Sequence, residues 1–159
     1  MPTAARIPAA ALIDALGGGY PFWFPKEARN NALDFFTYGT DFEPLVASAT
    51  TTRAIQINSD SAFMILSATM VETDTANTVF LANRPLLVQL ATGGASLSLG
   101  NTPIHADNWF GTAEQAKYWD VPKVLLPNTT FNVTLQNLEA VDRNVRVAFH
   151  GFKLFKFTK

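Results

Sequence analysis

The chain has 159 residues, of which 48% are hydrophobic, 12% aromatic and 16% charged, with a formal net charge of -1. That balance excludes a broad nucleic-acid footprint, which needs a basic excess, and the lack of cysteine excludes disulfides and thiolate metal sites. Soluble domains carry about 25% charged residues, so the deficit predicts a surface partly covered by an oligomer or a docked partner.

Residues 1–32 differ from the rest. Pro8 suits the first position of a short helix, on which Leu12, Ala15 and Leu16 would share a face beside Ile13. Gly17, Gly18 and Gly19 end it, because consecutive glycines make continued helix costly. Asp14 interrupts the early apolar run and Arg6 is its sole cation, a poor pattern for a signal peptide. Next comes Tyr20-Pro21-Phe22-Trp23-Phe24-Pro25. Prolines cannot donate to a ladder, so this is no interior strand. Its apolar area predicts either a strap over the domain's own core or an arm docked on a neighbouring subunit.

From Leu33 the pattern is β. Residues 33–40 form a first strand with Phe35 and Phe36 and a stop at Gly39. Residues 50–57 form a second, bounded by the turn-forming trio Asn58-Ser59-Asp60. Residues 62–71 form a third, 86–91 a fourth behind Pro85, and 96–99 a fifth after Gly93-Gly94. Residues 121–126 form a sixth, placed at an edge by Pro122. The irregular stretch 100–120 holds Trp109, Phe110, Tyr118 and Trp119, with a helical turn expected at 112–117. No apolar run reaches the ~18 residues of a membrane span.

The C-terminal end carries the clearest alternation. Phe131, Val133 and Leu135 point one way and Asn132, Thr134 and Gln136 the other; Val145, Val147 and Phe149 then alternate with Arg146, Ala148 and His150. Two neighbouring runs of period two predict an antiparallel pair with one buried face. The phase then moves to Phe152 and Leu154, which predicts a bulge at His150-Gly151. About eight short strands imply an all-β fold, an antiparallel two-sheet jelly-roll sandwich over 33–159 with 1–32 as an N-terminal arm.

Chemistry is sparse. His105 and His150 are far apart, and two ligands fall short of the three or four a metal site needs. Glu72 and Asp74 read as solvated charges at a loop tip, with too few oxygens around them for calcium. Gly17-Gly18-Gly19 lacks the lysine of a phosphate loop. The acceptor patterns at Asn128 and Asn132 read as accidental. Trp109, Phe110, Tyr118 and Trp119 form either core and interface anchors or a sugar-stacking platform. No cofactor, catalytic residue or metal ligand is assigned.

The segments Leu126-Pro127-Asn128-Thr129-Thr130-Phe131-Asn132-Val133 and Val145-Arg146-Val147-Ala148-Phe149-His150-Gly151-Phe152-Lys153-Leu154-Phe155 resemble small virion structural proteins of tailed bacteriophages. In these a proline precedes the penultimate strand and a hydrophobic strand with His-Gly closes the chain. Arg53 to Phe63 resembles their paired-strand segment, and the likeness runs roughly over 33–157. It implies a jelly-roll protein of the head that decorates and cements the capsid exterior after synthesis in the host cytoplasm. The major capsid protein is the implied partner. A homo-oligomer is expected, a trimer before others, with no nucleic acid and no membrane. The expected partner-binding residues are Tyr20, Phe22, Trp23, Phe24, Trp109, Phe110, Tyr118 and Trp119. Competing readings are a neck or tail component, a virion-displayed glycan-binding module and a cupin-like enzyme.

Overall fold

A computed structural model describes residues 7–8, 32–81, 84–93, 97–100 and 102–155. Among them the alternating runs become strands: β1 Ile7–Pro8, β2 Ala32–Leu45, β3 Thr50–Gln56, β4 Ser61–Thr73 and β5 Leu86–Thr92. They continue as β6 Leu97–Ser98, β7 Ile104–His105, β8 Lys117–Leu125, β9 Thr130–Asn137 and β10 Arg143–Phe155. Two antiparallel sheets result, ordered β1-β2-β10-β4-β8 and β3-β9-β5-β6, with β7 pairing beside β5. Setting aside the two-residue β1 and β7, the pairs are β2 with β10, β3 with β9, β4 with β8 and β5 with β6. First meets last and second meets second-last, so the chain is a long hairpin rolled into two sheets. That is the jelly-roll arrangement expected from the strand count.

The last two strands do not pair with each other. β9 lies between β3 and β5, whereas β10 lies between β2 and β4 in the other sheet. Alternation reports that a strand has one buried face, not which strand it pairs with. The connection over 138–142 crosses between sheets and is held by buried Asn137. Its Nδ2 donates to the carbonyls of Val46 at 3.3 Å and Val141 at 2.9 Å, and its Oδ1 accepts from the Glu139 amide at 3.1 Å.

The core lies between the inner faces. Phe63, Ile65, Ala68 and Met70 of β4 and Val145, Val147 and Phe149 of β10 meet Val88, Leu90, Phe131, Val133 and Leu135 of the second sheet. An irregularity does sit at His150-Gly151, but the extra residue is on β4: His150 pairs with Ser67 and Gly151 with Ile65, skipping Leu66. On β4 the inward set therefore changes from Phe63 and Ile65 to Ala68 and Met70. β10 keeps its phase. Phe152 and Leu154 point to the outer face, where Leu154 joins Leu33 and Met64 in a second buried cluster. Gly151 is required by this close approach, since a Cβ there would stand 1.8 Å from the Met64 carbonyl oxygen.

Two boundaries differ from the sequence expectation. β2 runs through Gly39 to Leu45, because Gly39 sits opposite Ala148 in a continuous ladder that outweighs glycine's weak strand preference. The helical turn falls at Ala106–Asn108, not at 112–117, and Lys117 already pairs with Ala68 as strand. Within the segment read as an arm, Ile7 and Pro8 pair with Leu33 and Ala32.

Candidate functional site

Of the residues expected to bind a partner, Tyr20, Phe22, Trp23 and Phe24 lie outside the described residues. The other four divide. Phe110 is 2% exposed and packs 5.6 Å from Phe149. Trp109 and Trp119 are half-buried against the core with ring centroids 5.4 Å apart, and Trp119 Nε1 donates to the Trp109 carbonyl at 3.0 Å. Phe110 is part of the core, and the two tryptophan rings pack against it. Tyr118 lies open, 74% exposed.

Tyr118 belongs to a longer feature. β10 flanks one side of β4. Three pieces share the other side: β8 opposite Phe63 to Ala68, Gly111 opposite Thr69, and Phe80 opposite Thr73. The Gly111 amide donates to the Ala68 carbonyl at 3.0 Å, and the Leu81 amide donates to the Glu72 carbonyl at 3.0 Å. Arg84 ties the pieces together, donating to the carbonyls of Gly111 at 3.1 Å and Met70 at 3.3 Å. β4 has 13 residues, so this edge is about 40 Å long at roughly 3.3 Å per residue. Along it Leu126 (66% exposed), Val124, Val121, Tyr118, Val79 and Phe80 (77% exposed) face solvent. Apolar residues concentrated on a sheet edge are the pattern that interaction surfaces carry. Pro122, Lys117 and Lys123 interrupt the edge, so covering it by strand addition is disfavoured and side-chain packing is left.

The outer face of the same sheet is ordered in rows. Leu33, Leu154 and Ala62 form one; Phe35, Phe152 and Met64 the next; Thr37, His150, Ser67 and Tyr118 the third. Apolar rows thus give way to a polar one. His150 sits between two hydroxyls, with Nδ1 3.0 Å from Thr37 Oγ1 and Nε2 3.1 Å from Thr69 Oγ1. Partial burial holds its pKa below the ordinary histidine value, so the ring is neutral near pH 7.

Glu72 is not a loop-tip charge. It lies on β4, buried and aimed inward, and accepts from Arg143 Nη1 at 2.6 Å. The buried Arg143 also reaches Glu139 through Nη2. Burial pushes the Glu72 carboxyl above its usual range, opposed by the hydrogen bond and charge of Arg143 and the charge of Arg84. The pair is imperfectly satisfied: Glu72 Oε1 and Arg143 Nε find no hydrogen-bond partner among the described residues. Asp74 does lie in a loop. Its carboxylate accepts from the Thr78 hydroxyl at 2.6 Å and from the Thr78 and Val79 amides, which holds its pKa below the ordinary aspartate value.

His105, on β7, and His150, on β10, lie in different sheets. No group of three or more potential metal ligands is found among the described residues. The chain matches no known family and no curated protein.

Reading the sequence missed the edge residues Val79, Phe80, Val121, Val124 and Leu126. Val121-Pro122-Lys123-Val124-Leu125-Leu126 carried a usable signal. A proline puts the strand at an edge, yet apolar residues fill both of its faces, so one apolar set must face outward.

Proposed function

We propose that this chain is a non-enzymatic virion structural protein of a tailed bacteriophage. It decorates the capsid exterior and cements it by bridging major capsid proteins. The observation that carries this reading is the long apolar edge of the first sheet, with Leu126, Val124, Val121, Val79 and Phe80 open to solvent. A rigid sandwich that exposes such an edge is suited to gripping another protein, since stable interfaces bury about 1,200–2,000 Å² around apolar and aromatic anchors. The low charged fraction of 16% supports the same reading. So does the resemblance of the closing strands to phage virion proteins. A homotrimer fits quasi-three-fold positions on a capsid lattice.

The test is co-sedimentation of the purified chain with mature capsids of the encoding phage, stripped of it. Wild type is expected to pellet with the capsids. The double variant Val121→Asp and Val124→Asp, folded by circular dichroism, is expected to stay in the supernatant. Binding by the double variant equal to wild type overturns the assignment of this edge, and no binding by wild type overturns the function.

A further inference from the structure

The rows of the outer sheet face frame a groove of about 710 Å³ that the docking edge does not explain. Its size lies within the roughly 300–1,000 Å³ of small-molecule sites. Phe35, 63% exposed, forms one wall and is braced edge to face by Phe152, with centroids 6.0 Å apart. Tyr118 forms the opposite wall from β8. Ser67, Thr69 and His150 lie between them, and Leu66, Glu114 and Gln115, with two alanines, also line it.

The chemistry of the lining narrows the ligand. Apart from the irregularity at Leu66, the floor is a paired sheet whose backbone groups are spent in the ladder, so recognition falls mainly to side chains. Among the described residues no lysine or arginine lines the groove, which disfavours phosphate and other anions. An imidazole held between two hydroxyls carries one N–H: it donates to one threonine and accepts from the other. The floor thus offers neutral donors and acceptors, and Gln115 and Glu114 add an amide and a carboxylate. Aromatic walls with a neutral hydrogen-bonding floor complement a molecule with apolar C–H faces and hydroxyl edges. The geometry points to a neutral oligosaccharide bound between Phe35 and Tyr118 over Ser67, Thr69 and His150. This inference does not rest on the capsid reading. It also places sugar recognition on the sheet face, away from Trp109 and Trp119.

The test is saturation-transfer NMR on the full chain with maltotriose, cellotriose, chitotriose, lactose and sialyllactose. At least one neutral sugar is expected to receive saturation and to titrate to a dissociation constant. Tyr118→Ala and Phe35→Ala should each weaken it roughly tenfold, as loss of an aromatic contact does. Both side chains are mostly exposed, so the fold is retained. Val124→Ala, outside the groove, should leave binding unchanged. No signal from any neutral sugar overturns the proposal. So does binding that survives both aromatic substitutions, or sialyllactose binding tighter than lactose. A Tyr118→Ala defect confined to capsid binding would assign that wall to the protein-docking edge and overturn the proposal as well.

Discussion

Phe131 and Phe149 meet edge to face at 5.1 Å, with ring planes at 78°, from opposite sheets. Phe149 also faces Phe110 at 5.6 Å and Trp119 at 6.2 Å, so one side chain joins both sheets and the 100–120 segment. Phe149→Ala is expected to cost about 3–5 kcal/mol, the range for truncating a buried phenylalanine. Urea unfolding followed by tryptophan fluorescence measures it. A loss under about 1 kcal/mol, below that range, contradicts this packing.

Arg143 is the only described cation placed to neutralise Glu72 by direct hydrogen bond. Arg143→Met alone should cost about 3–5 kcal/mol, because it leaves a buried carboxylate uncompensated. The double variant Arg143→Met and Glu72→Leu should recover most of that loss, since apolar replacement of a buried pair is often neutral or better. Glu139, half-buried, can then turn to solvent. A double variant less stable than Arg143→Met contradicts this account of the pair.

The pKa shifts of Glu72 and His150 have opposite signs and give opposite slopes. Glu72 is raised in the folded state, so the fold holds its proton more tightly. Its contribution is present below the unfolded value of 4.5 and is lost as pH rises through the folded value. His150 is lowered. Its contribution is present above the unfolded value of 6.5 and is lost as pH falls from there through the folded value. Unfolding free energies below pH 6.5 should therefore decline less steeply in His150→Gln than in wild type. Identical slopes contradict the desolvated, hydroxyl-bound imidazole.

Gly151 faces the Met64 carbonyl oxygen across the irregularity. Gly151→Ala should cost at least about 3 kcal/mol, the upper end of overpacking penalties, because backbone must move. Thermal unfolding reads the effect. An unchanged midpoint means the strands do not approach so closely.

The fold was largely legible because it rests on period-two alternation. Phe131 to Leu135 and Val145 to Phe149 announce buried faces, and Pro122 announces an edge. Pairing was not legible: β9 and β10 share a turn yet enter different sheets, because the crossing is decided by Asn137 and the core, not by local pattern. Glu72 was misread for a related reason. Thr73 and Asp74 beside it look like a loop, but Arg143, distant in sequence, makes burial of the carboxylate tolerable. The candidate surface was half legible. Tyr118 was singled out by residue type, whereas Phe35 and His150 came together only through strand register.

The central claim is that this chain exists to cover protein surface on a virion. Quantitative mass spectrometry of purified particles of the encoding phage tests it most directly, as copies of this chain per particle. The account predicts on the order of hundreds of copies, as repeated docking positions on a symmetric shell require. Particles that lack the chain contradict it, and a dozen copies or fewer would place it at a vertex or neck and contradict the capsid-wide role.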